Sequence, residues 1–163
     1  MIVQRDTSNY NGNEVLNDAA RRGDLAAVKR LIVDQDQSDY IKWIATHQAL
    51  LNRQWKVVDA LIDADLGDFG RNNLIEHVVS LGVLEWTERL LREGTSKQAR
   101  GFALNRLAEW QRDSGARPAE LVDQHHDCLR AVLAAGVTVY DRRRARKKAL
   151  ANGDDLLAGW LAD

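Results

Sequence analysis

A pair of large apolar residues recurs along this chain at Leu31-Ile32, Leu61-Ile62, Leu90-Leu91, Val132-Leu133 and Trp160-Leu161, with gaps of 30, 29, 42 and 28 residues. A fixed period of that size marks a repeat architecture, in which one supersecondary unit cannot bury its apolar face alone and stacks on its neighbours. Between pairs, apolar residues return three and four positions apart, which is helical spacing. Alternating strand patterns are missing, and one proline with 11 glycines supplies too few turns for a β-sandwich. The expected fold class is all-α.

The segment from Gly12 to Ile32 shows the unit most clearly. A helical stripe runs to Ala19-Ala20, breaks at Gly23-Asp24 and restarts with Leu25, Val28, Leu31 and Ile32. The small alanines let two helices approach, Gly23 can take the left-handed conformation that closes a helix, and Asp24 can cap the next one. The inter-helix turn recurs at Gly82 and Gly153, with Arg53 in the equivalent place of a third unit.

On these residues the chain resembles the ankyrin repeat family. Ala19-Ala20, Gly23, Val28 and Leu31-Ile32 fall on the family's pattern, as do the exits Glu93-Gly94-Thr95 and Ala135-Gly136-Val137-Thr138-Val139. Asp39 and Asp68 stand where the family's turn aspartate opens a repeat, and His47 matches its histidine. No repeat carries the family's Thr-Pro pair, and about a dozen residues are inserted around Trp110 to Leu121. The resemblance implies an ankyrin-like helical-repeat solenoid of about five helix pairs. It divides a single 1–163 domain into repeats of roughly 9–38, 39–67, 68–96, 97–138 with the insertion, and 139–163. A helical-repeat stack of another family is the alternative.

Chemistry-bearing motifs are scarce. His125-His126 with Cys128 gives at best two metal ligands on a helix, and an ordinary, partly exposed helix face explains them. Cys128 sits among helically spaced apolar residues, where it fills space. No Gly-x-Ser-x-Gly elbow or phosphate-cradling glycine loop occurs, and Asp154-Asp155 and Asp63/Asp65 read as caps or solvated turns. The expectation is a non-enzyme without metal or cofactor. No apolar run approaches the roughly 20 residues of a membrane span, the start is too polar for a signal peptide, and a lone cysteine forms no internal disulfide. A cytoplasmic protein without membrane contact is expected.

Charge is unevenly spread, although 23 basic and 24 acidic residues nearly cancel. Positions 142–148 hold six basic residues, and 34–68 hold seven aspartates with only Lys42, Arg53 and Lys56. The basic run is either a polar cap on the last repeat or a site for a polyanion. As a cap, it should leave Arg142, Arg143, Arg144, Arg146, Lys147 and Lys148 largely in solvent while Ala149, Leu156 and Leu161 turn inward. The near-zero net charge makes nucleic acid the less favoured partner; an acidic protein suits it better.

Aligning the repeats puts Tyr10, Tyr40, Phe69 and Tyr140 at one position just after the opening turn, with Trp43 three residues on from Tyr40. By the resemblance these stand at finger tips on the rim of a concave face, and Arg21, Arg22 and Trp110 end first helices that face the same side. Tyr, Trp and Arg dominate interface hot spots. The expected partner-binding residues are therefore Tyr10, Arg21, Arg22, Tyr40, Trp43, Phe69, Trp110, Tyr140 and Arg143, unless the rings pack inward. Trp55, Trp86 and Trp160 fall on second helices and are expected to pack. The function expected is a non-catalytic protein-binding module, an inhibitor or immunity-type protein that occludes a folded partner such as a toxin or an enzyme. The alternative is a nucleic-acid-binding accessory protein using 142–148.

Overall fold

The computed structural model describes residues 8–34, 37–110 and 119–162, with side chains over 14–33, 37–109 and 122–162. Among them the chain is all-helical, with no strand. The ten helices are α1 (Ser8–Arg22), α2 (Leu25–Asp34), α3 (Asp39–Leu51), α4 (Trp55–Asp63), α5 (Gly67–Leu81), α6 (Leu84–Glu93), α7 (Lys97–Trp110), α8 (Ala119–Ala134), α9 (Val139–Ala151) and α10 (Asp155–Trp160). None is long and apolar enough to cross a membrane. The expected insertion at 111–120 falls almost wholly outside the described residues.

Four hairpin turns share one backbone device. Gly23, Arg53, Gly82 and Gly153 all have φ between 57° and 78°. In three of them the next amide reaches back five residues: Asp24 N donates to Ala19 O, Gln54 N to Ala49 O and Asp154 N to Ala149 O, each at 2.9 Å. This six-to-one bond satisfies a carbonyl that the helix end would leave orphaned. The following helix then starts at once. Asp24 Oδ1 accepts from Ala27 N at 3.0 Å, and Asp154 Oδ1 accepts from Leu157 N at 2.9 Å. Turn and cap together explain why Gly-Asp, repeated at 23-24 and 153-154, reverses the chain in two residues.

The chain divides into two compact bodies, residues 1–70 and 71–163. In the first, α1 lies on α3 and folds back on α2, while α2 runs beside α4 and α3 on α4. Leu16, Ala19, Ala20, Val28, Ala45 and Ala49 are buried there with Val58, Leu61 and Ile62. In the second, α7 lies on α9, α6 on α8, α7 on α8 and α9 on α10. Each body thus stacks first helix on first helix and second on second. The leading residues of the apolar pairs, Leu31, Leu61, Leu90 and Val132, are buried, and at the last pair it is Leu161.

Several side chains depart from the sequence expectation. Of the six basic residues of 142–148 expected largely in solvent, Arg142 and Lys148 are half-buried, Lys148 because it reaches across to Glu109. Leu156 was expected inward but is exposed, because α10 buries the face formed by Leu157, Ala158 and Leu161, one residue along. Trp55, expected to pack, is also exposed: it is the first residue of α4, ahead of the buried Val57, Val58, Leu61 and Ile62. His125, expected on a partly exposed face, is only 3% exposed. Its Nε2 lies 3.0 Å from Ser80 O, and its ring occupies the space a Cβ on Gly82 would need. Trp86 is buried, and Trp160 sits half-buried with its ring edge-on to His126 and the Arg130 guanidinium over it.

Candidate functional site

The start of α3 and the start of α5 are drawn together by a glycine. Asp65, at φ 56°, accepts the amide of Gly67 on its Oδ1 at 3.0 Å, which forms the turn into α5. Gly67 has φ 61°, and a Cβ there would lie 1.8 Å from Asp39 Oδ2. No other residue lets the first turn of α3 come so close. Lys42 holds the same junction from the other side, donating to Asp65 O at 2.9 Å and Ala64 O at 3.4 Å. A cation at those carbonyls also opposes the negative end of the α4 dipole.

This approach sets three rings in mutual contact. Tyr40 and Phe69 have centroids 5.8 Å apart, Tyr40 and Trp43 5.9 Å, and Trp43 meets Phe69 edge-on at 5.8 Å. His47, one turn further along α3, stacks on Trp43 at 5.8 Å and 12°. Tilted and edge-on pairs of this kind are worth about 0.5–1.5 kcal/mol each beyond their area burial. The cluster is therefore pre-ordered. Yet Tyr40 is 55% and Phe69 46% exposed, so the rings hold one another while leaving large apolar faces in water.

The other expected site residues lie as follows. Arg21 and Arg22 are exposed at the end of α1 and both pair with Asp18, Arg21 Nη2 at 2.7 Å from Oδ1. The hydrogen bond from Arg21, aided by the Arg22 charge, holds Asp18 below the usual carboxylate range. Tyr140 and Arg143 are exposed on α9, in the second body. The side chains of Tyr10 and Trp110 lie outside the described residues. The aromatic positions occupy first helical turns of α3, α5 and α9. Of the expected set, the structure brings together Tyr40, Trp43 and Phe69.

Two features escaped the sequence reading. The stacking of His47 was signalled by its four-residue spacing from Trp43. A groove of about 580 Å³ runs between α2 and α4, floored by Leu25, Ile32 and Ala60 and edged by Lys29, Lys56 and Asp59. Its signal was the run Leu25, Lys29, Ile32 at helical spacing.

Among the described residues no three His, Cys, Asp or Glu side chains gather as a metal site. Cys128 is buried, with Thr87 Oγ1 at 3.5 Å from its sulfur, and burial pushes its thiol above the ordinary range, away from the reactive thiolate. Comparison of the chain with protein-family models, curated proteins and solved structures returns no match.

Proposed function

We propose that this chain is a non-catalytic protein-binding module of the ankyrin-like helical-repeat kind, acting in the cytoplasm. It occludes a folded partner, a toxin or an enzyme, as inhibitors and immunity-type proteins do. The observation that carries the reading is the aromatic cluster of Tyr40, Trp43 and Phe69. Rigid rings lose little conformational freedom on binding, and Tyr and Trp are the residues most often found as interface anchors. Tyr40 and Phe69, each about half exposed, offer roughly 75–125 Å² apiece, a centre around which a standard interface with a polar rim can form. Asp65 and Asp68 are exposed beside the cluster and supply such a rim.

The test measures partner affinity and folding stability on the same variants. Tyr40→Ala and Phe69→Ala should each weaken a partner recovered from the source cell by about 2 kcal/mol or more. The same changes should cost well under the roughly 3–5 kcal/mol of stability that a buried aromatic loses on truncation to alanine. Loss of stability with unchanged affinity per folded molecule would sink the proposal.

A further inference from the structure

Helix α3 carries large side chains on the face that its own body does not use. Ala45, Thr46, Ala49 and Leu50 form its buried side. Tyr40, Ile44, His47 and Leu51 follow one another at spacings of four, three and four. At about 100° per residue they fall within roughly 60° of one another, on the opposite side. Tyr40 and Leu51 are exposed, Leu51 to 66%, and Ile44 and His47 lie half-buried between them. A helix resting on a packed body needs only its inward stripe apolar. The outward stripe keeps the alternation of a heptad seam, the pattern that a second helix meets knob into hole. Its ends lie roughly 16 Å apart, three helical turns.

Charge beside this stripe changes sign along it. α1 lies on α3 and runs the same way, since Gly23, which closes α1, lies against the side chain of Gln54, just past the end of α3. Glu14 therefore stands toward the start of the stripe and Arg21 toward its end, around a recess of about 280 Å³ that Asn17, Ile44 and Gln48 help to line. Asp39, the first residue of α3, joins Glu14 at the start, while Lys42 of the same turn is drawn away to the carbonyls of Ala64 and Asp65. At the far end Arg21 and Arg22 share the single carboxylate of Asp18, which leaves that trio positive. An occupant that answers both ends brings acids to Arg21 and Arg22 and bases to Glu14 and Asp39. A helix carries acids best in its first turn and bases best in its last. It therefore lies antiparallel to α3, with its apolar side chains on Tyr40, Ile44 and Leu51.

We propose that the outward face of α3 is the track for one amphipathic helix of the partner protein, about three turns long and antiparallel to α3. That helix has apolar residues at heptad spacing, acids in its first turn and bases in its last. The proposal rests on the reading of Tyr40, Trp43 and Phe69 as the binding cluster, and names what lies on it and runs on toward Leu51. The test uses two labelled peptides read by fluorescence anisotropy, both held helical by a staple on the polar side. One has leucine at heptad spacing, glutamate in the first turn and lysine in the last; the other has the two charged turns exchanged. The first should bind roughly tenfold more tightly than the second, as complementary charge requires. Glu14→Lys should narrow that preference several-fold. Leu51→Ser should weaken the first peptide several-fold with an unchanged circular dichroism spectrum. Equal affinity for the two peptides, a preference untouched by Glu14→Lys, indifference to Leu51→Ser, or no binding of either at millimolar concentration would each overturn the proposal. None of these results bears on the losses of partner affinity expected of Tyr40→Ala and Phe69→Ala, so the track can fall while the cluster stands. If those losses are missing, the cluster falls and the track with it.

Discussion

Gly101→Ala puts the packing of α7 on α9 to a quantitative test. Gly101 is the fifth residue of α7, and an open helical glycine replaced by alanine gains about 1 kcal/mol. Here the added Cβ would lie 2.5 Å from both Cγ and Oδ2 of Asp141. The carboxylate must rotate away and give up the Thr138 hydroxyl, a charge-assisted bond in a half-exposed place, worth about 1–2 kcal/mol. The propensity gain is therefore cancelled or exceeded, and Gly101→Ala alone should be neutral or destabilising by up to about 1 kcal/mol. With Asp141→Ala in the background the obstacle is gone, and the same change should stabilise by about 1 kcal/mol. Equilibrium urea denaturation of the four species of this cycle, followed by far-ultraviolet circular dichroism, gives the coupling directly. We expect on the order of 1–2 kcal/mol. A coupling below about 0.3 kcal/mol, the usual figure for independent sites, would mean that Asp141 does not sit over Gly101.

Three further changes follow from a turn, a cap and an ion pair. Arg53 holds φ 57° where the other hairpins use glycine, so Arg53→Gly should raise stability by about 0.5–1 kcal/mol; a loss in urea melts would contradict the turn assignment. Asp154→Ala removes the α10 cap and should cost about 1 kcal/mol in the same melts, with Asp154→Ser recovering most of it. Asp18 has its folded pKa lowered from 3.8 by Arg21 and Arg22, so its stabilising contribution is present above that value and fades as pH falls through the lowered one. Asp18→Asn should accordingly make stability less steep in that acid range, and an unchanged pH profile would contradict the pairing.

How far the fold could be read from the chain depended on the range of each interaction. The hairpin turns are local, and Gly23, Arg53, Gly82 and Gly153 announced them by position alone. Asp24 and Asp154 were likewise legible as caps, since a cap acts within three residues of itself. His125 was not legible. What buries it is the Ser80 carbonyl and the bare Cα of Gly82, more than forty residues earlier in the chain. Gly67 gave no signal for the same reason, because its partner Asp39 lies 28 residues away. Leu156 and Leu157 form an apolar doublet on a six-residue helix, too short for periodicity to choose between them. In the site, the aligned rings of Tyr40 and Phe69 were visible as a repeat. Their mutual contact was not, since it depends on the close approach of α3 and α5.

The stacking of first helix on first and second on second has a kinetic consequence. Within each body every main contact joins helices that are adjacent, or next but one, along the chain. Loop closures on the way to the folded state are therefore short, and relative contact order is low. Proteins with such local wiring fold in microseconds to milliseconds, far ahead of sandwiches and barrels of equal stability. Each of the hairpins closed by Gly23, Arg53, Gly82 and Gly153 can form before its neighbour arrives, so structure can start at more than one place within a body.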